Sequence, residues 1–398
     1  MKSIKIGIMG CTVENPNMGC MALTYSLVKK LQKIGNQKEI NIQYMFFDYS
    51  ATETALKNLS RNLNMDFLNF EGCQYIFFDF HNLKSSINSI KKTIRNIKAI
   101  KKIRECAFII DMTQGDSFSD IYGEKRFYDW TGIKRLVELC GVPLVLGPQT
   151  YGPFEDEQIK KYAKTVIENA DLVISRDEES KKYLETFCKK DILVATDLAF
   201  ELPYKNLKNI YSSKIKIGIN PSGLLCNKKN DKSAFNTKLK VDYESYLYQL
   251  VEFLKKAGKY EIYMIPHVGN EAIECFGNIK DVKYHEAFSS PIEAKSFIAE
   301  MDIFIGARMH ATIGAFSSGV ATIPVAYSRK FRGLFKGIGY EYLIDLSSIT
   351  TEKALEMTIE YIQNYMELKH SALKSMEIIN QKCKVTEDTL SKKIMESI

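Results

Sequence analysis

Short runs of β-branched and aromatic residues alternate along the chain with longer segments whose apolar positions recur three and four residues apart. The short runs are Ile4–Met9, Ile42–Phe47, Tyr75–Phe80, Phe108–Met112, Leu144–Gly147, Leu172–Ser175 and Ile192–Ala195. Helical patterns lie between them, over Cys20–Ile34, Tyr128–Cys140 and Glu178–Phe187. Near-continuous apolar runs separated by helices predict a parallel sheet covered on both faces. The polar stretch Glu201–Lys214 breaks the pattern and reads as a linker. The pattern then restarts, with strands at Ile215–Ile219, Ile262–Ile265, Ile303–Ile305 and Thr322–Ala326 and helices at Tyr243–Ala257, Ile292–Met301 and His310–Ser317. From Thr351 the chain is helical and highly charged. The expected fold is α/β, with two doubly wound, Rossmann-like domains over residues 1–200 and 215–345. Helices over 346–398 are expected to pack back on the N-terminal domain. In open parallel sheets ligands bind beyond the carboxyl ends of the strands, so the chemistry is sought in the loops there and in the cleft between the domains.

Composition narrows this picture. The chain has 398 residues, 45% hydrophobic and 26% charged, enough for two cores. A net charge of +7 is mild for this length and does not point to nucleic acid. The nine cysteines show no CxxC spacing and no zinc-like cluster, so they read as reduced thiols of a cytoplasmic protein with no bound metal. No apolar run approaches the ~20 residues of a spanning helix, so any membrane contact must be peripheral. One segment offers such a contact. Lys91, Lys92, Arg95, Lys98, Lys101, Lys102 and Arg104 punctuate Ile90, Ile94, Ile97 and Ile103. This basic amphipathic helix either packs on the core with a solvated face or docks against anionic lipid at the inner face of the membrane.

Several loops at strand ends carry candidate chemistry. The first, Gly10–Gly19, opens a helix whose free N–H groups suit an anion, but it matches no nucleotide-binding fingerprint and reads equally well as a plain βα turn. Asn17 is its candidate contact. The loop Thr113–Ser117 places Gln114, Asp116 and Ser117 where they can hydrogen-bond sugar hydroxyls, or merely form a capping turn. Gly147–Phe154 holds two Gly-Pro-type breakers and can present Gln149 and Thr150 to a ligand. Arg176 follows a strand and is either a cation of the site or the partner of Asp177 or Glu179.

The densest segment is Met301–Tyr340. A strand runs into Gly306, and Arg308 and His310 then open an Ala/Ile-rich helix. That helix end attracts anions, and Arg308 adds a planar fork suited to phosphate or carboxylate. An imidazole titrates near neutrality and can serve as an acid, which makes His310 a candidate. A second strand delivers Arg329, Lys330 and Arg332. His267 follows another strand of the same domain. His81, His285 and His370 lack supporting neighbours.

These motifs resemble the polysaccharide pyruvyltransferase family. The resemblance rests on GPQTYGPF at Gly147–Phe154, ISRDEES at Ile174–Ser180, TDLAF at Thr196–Phe200 and IGARMHATIGAFSSGVATIPVAYSRKFRGL at Ile305–Leu334, and it spans roughly residues 5–345. Cys20 follows Gly19 where the family more often has an acid. The resemblance implies a fold similar to GT-B glycosyltransferases and a reaction that needs no cofactor, metal or nucleotide. It implies phosphoenolpyruvate as donor and a sugar or lipid-linked oligosaccharide as acceptor, with a pyruvate ketal formed on a capsular, exopolysaccharide or cell-wall glycan precursor. His310 is then the candidate acid. Arg308, Met309, Arg176, Lys330, Arg329 and His267 are the donor contacts. Asn17, Gln114, Asp116, Ser117, Gln149 and Thr150 are the acceptor contacts. Two rival readings use the same architecture: a GT-B glycosyltransferase with a nucleotide-sugar donor, and a non-enzymatic carbohydrate-binding scaffold.

Overall fold

The computed structural model describes residues 2–74, 97–207, 214–226 and 239–398. The chain forms two compact units. Met1–Asn15, Leu23–Leu198 and Gln381–Ile398 make the first, and Pro16–Ala22 with Ala199–Asn380 the second.

Among the described residues, the first unit holds a seven-stranded sheet in the order β3-β2-β1-β4-β5-β6-β7. The strands are β1 (Lys2–Met9), β2 (Ile40–Phe47), β3 (Phe70–Cys73), β4 (Phe108–Asp111), β5 (Leu144–Gln149), β6 (Leu172–Ser175) and β7 (Leu193–Val194). Every pairing is parallel, with Met9 opposite Phe47 on one side of β1 and Asp111 on the other. The crossovers run through helices α1 (Met18–Lys38), α2 (Glu53–Leu63), α3 (Ile97–Arg104), α4 (Glu124–Leu139), α5 (Glu157–Asn169) and α6 (Glu178–Glu185). Their starts are written locally. The side chains of Thr52, Asp156 and Asp177 each accept N–H groups of the first turn of α2, α5 and α6. β4 and β5 are buried throughout, as near-continuous apolar runs require. β3 is not among the expected strands, and the strand expected at Tyr75–Phe80 lies outside the described residues.

The basic segment splits. Lys91–Asn96 lies outside the described residues. The described end, α3, turns Ala99 and Ile103 into the core. Lys102 pairs with Glu71 (2.7 Å) and Glu105 (3.0 Å), and Lys5 joins Glu105 (2.7 Å). In α3, Ala99 and Ile103 are thus committed to the protein's own core, while Ile97 is exposed.

The second unit holds a six-stranded parallel sheet in the order β10-β9-β8-β11-β12-β13 among the described residues. Its strands are β8 (Ile215–Asn220), β9 (Tyr260–Met264), β10 (Lys283–Tyr284), β11 (Ile303–Gly306), β12 (Ala321–Ala326) and β13 (Ile344–Asp345). Its helices are α7 (Gly223–Cys226), α8 (Tyr243–Ala257), α9 (Glu271–Phe276), α10 (Pro291–Ile298), α11 (Met309–Ser317), α12 (Arg329–Lys336) and α13 (Thr351–Gln363), followed by α14 (Tyr365–Glu396). Each sheet is doubly wound, which makes the fold GT-B-like.

The helices after residue 345 do not all pack on the first unit. α13 belongs to the second: Ala354 and Ile362 enter its core, and Thr358 hydrogen-bonds Tyr246 of α8 (2.8 Å). Only Gln381–Ile398, the end of α14, belongs to the first unit. There Glu387 pairs with Lys33 (2.7 Å), Lys393 pairs with Asp171 (2.8 Å), and Leu390 and Ile394 are buried. Charged helices of even amphipathicity do not reveal in sequence which core each half will meet.

Candidate functional site

In the second unit the carboxyl ends of β8 and β11 lie side by side, with Asn220 opposite Gly306. Asn220 ties this corner together. Its Oδ1 accepts the Arg308 N–H (3.0 Å), and its Nδ2 donates to the Ile265 carbonyl (2.9 Å). Arg308 follows β11 as the N-cap of α11, where no side chain caps the helix. Its guanidinium does not stand alone. Nε donates to both oxygens of Glu271 (3.2 and 3.0 Å), and Nη2 donates to Oε2 (2.5 Å). Glu271 is 4% exposed. Its Oε1 also accepts the N–H groups of His267 (3.2 Å) and Val268 (3.0 Å), and its Oε2 that of Gly223 (3.0 Å). Burial opposes the charge on Arg308, but the Glu271 carboxylate outweighs it and raises the guanidinium above its ordinary pKa.

His310 is the second residue of α11. The start of α1, which belongs to this unit, lies against it. A Cβ on Gly19 would fall 2.4 Å from His310 Nδ1 and 2.9 Å from its Cβ. The same segment is pinned to the loop after β9: the Met18 N–H donates to the His267 carbonyl (3.0 Å), and that of Gly269 to Pro16 (3.0 Å). Asn17, expected to meet the acceptor, caps α1 with its side chain, its Oδ1 accepting the Gly19 N–H (2.9 Å).

His267 is 6% exposed, and neither ring nitrogen has a hydrogen-bond partner among the described residues. Burial first, then the fields of His310 and Arg308, push its pKa down to about 3, so the ring is neutral at pH 7. With His310, Lys295, Ala22 and Gly314 it lines a cavity of about 10 Å³, room for one water at most. Met309 is buried.

The expected convergence of four cations is partly neutralised. Arg308 is matched by Glu271, and Arg332 by Asp345 (2.7 Å). Arg329 and Lys330 open α12, whose N-cap Ser328 has a buried hydroxyl with no partner among the described residues. His285 stacks on Phe288 at 4.1 Å, a packing role. His81 lies outside the described residues.

The remaining candidates belong to the first unit. Arg176 is 3% exposed at the end of β6. Its Nη1 pairs with Asp197 (2.6 Å) and its Nε donates to Thr150 (2.8 Å), while Nη2 has no partner among the described residues. Asp197 is therefore the counter-ion. Asp177, considered for that role, caps α6 and accepts the Thr150 hydroxyl (3.1 Å). Gln149 and Thr150 are both buried. Gln149 is 0% exposed and donates to the Asp111 carbonyl (3.3 Å), while Thr150 is committed to Arg176 and Asp177.

The loop after β4 takes an unusual path. Thr113 (φ 37°), Gln114 (φ 51°) and Gly115 (φ 86°) are all left-handed, and for the first two this is strained. In this loop Gln114 Oε1 and the buried Ser117 Oγ both accept from Arg126 Nη2 (3.0 and 3.1 Å), and Asp116 accepts from Tyr122 (2.9 Å). Arg126 stacks over the Tyr122 ring at 5.0 Å. Beneath it Lys134 and Asp111 form a fully buried pair (3.1 Å) in which burial lowers the lysine pKa.

Glu271 and Arg126 lie outside the motifs, and Asp197 lies within TDLAF without being marked there as a partner of Arg176. Glu271 and Asp197 look like ordinary acids in their segments. Arg126 sits in a helix nine residues past Ser117. The signal that could have found Glu271 is a need: an arginine buried at a strand end requires a counter-ion. Among the described residues no group of three or more His, Cys, Asp or Glu side chains is placed to hold a metal. No described helix is long and apolar enough to cross a membrane.

The model of the polysaccharide pyruvyl transferase family matches residues 17–329. A search of curated proteins gives no match. Among solved structures, UDP-GlcNAc 2-epimerase from Neisseria meningitidis bound to UDP-GlcNAc superposes with a TM-score of 0.58 at 11% identity, over 100% of both chains. Anabaena Alr3699/HepE in complex with UDP gives 0.56 at 12% identity, again over 100% of both. The S. aureus MnaA–UDP structure gives 0.56 at 11% identity, over 96% of this chain and 95% of that one. At these identities the likeness is one of fold.

Proposed function

Because the chain belongs to the polysaccharide pyruvyl transferase family, we propose that it moves the enolpyruvyl-derived group of phosphoenolpyruvate onto two hydroxyls of one sugar. The observation that carries this reading is Arg308 fixed at the open start of α11 with His310 two residues on. A small donor bearing both phosphate and carboxylate needs a rigid cation, free helix N–H groups and an acid within a few ångströms of one another.

The reaction balances as follows. A proton goes to C3 of the donor, and C2 becomes an oxocarbenium-like centre. One sugar hydroxyl adds to C2 and loses its proton. The C2–O bond to phosphate breaks with its electrons, releasing inorganic phosphate. The second hydroxyl adds in the same way and closes the ketal. His310 supplies the first proton. The Nη1–Nη2 edge of Arg308, with Lys330 and Arg329, meets the anionic groups, and the main chain at Met309 adds N–H donors. Arg176, in the first unit, is a further candidate for an anion through Nη2, which has no partner among the described residues. His267, kept neutral by burial, is not an imidazolium donor and lines the site instead. The acceptor hydroxyls belong with Gln114, Asp116 and Ser117. The acceptor is a capsular, exopolysaccharide or cell-wall glycan precursor, free or lipid-linked, and the reaction needs no metal and no nucleotide.

The test is phosphate release from phosphoenolpyruvate, dependent on a galactoside or other sugar acceptor, with an acid-labile ketal in the product. Nucleoside diphosphate release from a nucleotide sugar, with phosphoenolpyruvate left intact, would favour the glycosyltransferase reading.

A further inference from the structure

The Glu271 carboxylate joins three segments of the second unit. Oε1 receives the N–H groups of His267 and Val268 (3.2 and 3.0 Å) and Oε2 that of Gly223 (3.0 Å). Both oxygens also receive Arg308, through Nε and Nη2. The Nε–Nη2 edge of the guanidinium is thus occupied by the carboxylate, which leaves the opposite Nη1–Nη2 edge for other acceptors.

An acid in this position is costly for a site that takes an anion. Coulomb's law makes any carboxylate beside the donor weaken its binding. Its presence is explained by what it does to Arg308. A free arginine rotates about its long stem and can offer either edge. One clamped by a buried carboxylate offers a single edge in a single plane. We propose that Glu271 is the positioning residue of the donor site, acting through Arg308 to present the Nη1–Nη2 edge to the departing phosphate. The proposal rests on the pyruvyl-transfer reading above.

Glu271→Gln tests it with little change of volume. Each carboxylate oxygen accepts from at least two donors, so either orientation of the amide turns an NH₂ against N–H groups and breaks the clamp. The variant also removes a negative charge beside the donor. Orientation and charge therefore act in opposite directions on two measurable quantities. In full-length protein with a cooperative melt, kcat is expected to fall about 10²-fold, while KM for phosphoenolpyruvate stays level or drops. Glu271→Asp keeps the charge but withdraws the carboxylate, so kcat should fall less. If Glu271→Gln does not fold, Glu271→Asp carries the test, with kcat reduced and KM held. Wild-type kcat in a folded variant would overturn the proposal, as would a rise in KM with kcat retained. If the wild-type protein does not turn over phosphoenolpyruvate at all, the functional reading fails and takes the proposal with it. Wild-type turnover beside an unchanged variant defeats the proposal alone.

Discussion

The ring of His310 occupies the space that a side chain at Gly19 would fill: a Cβ there would lie 2.4 Å from Nδ1 and 2.8 Å from Cγ. Gly19 is helical and needs no special backbone freedom. Its role is to let the start of α1 close on the imidazole. Asn17 caps that helix start and the His267 carbonyl receives its Met18 N–H, so the backbone cannot easily yield.

Gly19→Ala should therefore displace His310 rather than α1. The fold should survive, since alanine favours a helix over glycine by roughly 1 kcal/mol. Turnover should fall by about 10²-fold, the usual consequence of a catalytic group misplaced by an ångström. Steady-state kinetics beside a thermal melt would check both. Full activity would mean that the position of His310 does not matter.

Arg308→Ala removes the donor's anchor and leaves Glu271 buried without its partner. Donor binding should weaken by about 2–5 kcal/mol, and the melting temperature should drop, because an unmatched buried carboxylate is strongly destabilising. Adding Glu271→Gln to Arg308→Ala should restore part of the stability, by removing the unmatched charge, without restoring the donor's anchor. Calorimetric titration with phosphoenolpyruvate and thermal melts of both variants separate the two effects.

His267 gives a pH signature. Its folded pKa is near 3, against about 6.5 in an unfolded chain. The unfolded state therefore takes up a proton first as the pH falls. The stability linked to this group is intact above about pH 6.5 and is lost as the pH drops toward 3, by at most about 1.4 kcal/mol per unit. Urea unfolding midpoints at pH 7.5 and 5.0 should lie further apart for wild type than for His267→Gln, which cannot titrate. Parallel behaviour of the two proteins would place His267 in contact with water.

Much of the fold was legible because buried parallel strands and crossover helices leave strong periodic signals, as at Phe108–Asp111 and Ile303–Gly306. What periodicity does not encode is which of two cores a charged helix will serve, and α13 and the end of α14 divide between them. In the site, Arg308 and His310 were visible through their place after a strand. Their counterparts were not. Glu271 lies 37 residues from Arg308 in sequence and Asp197 21 from Arg176, and nothing local marks either acid as a partner. Gln149 and Thr150 are harder to read: a polar residue at a strand end can serve a ligand or satisfy a buried group, and both already hydrogen-bond within the protein.

The account turns on His310 as the proton donor. The deciding measurement is the single-turnover rate of His310→Gln at saturating phosphoenolpyruvate and acceptor, set beside the donor affinity of the same variant. Glutamine keeps the approximate size and hydrogen bonding but cannot deliver the proton. The account predicts near-normal affinity with transfer slowed by about 10²–10⁴-fold. Transfer at close to the wild-type rate, with affinity lost instead, would make His310 a binding residue and contradict the mechanism.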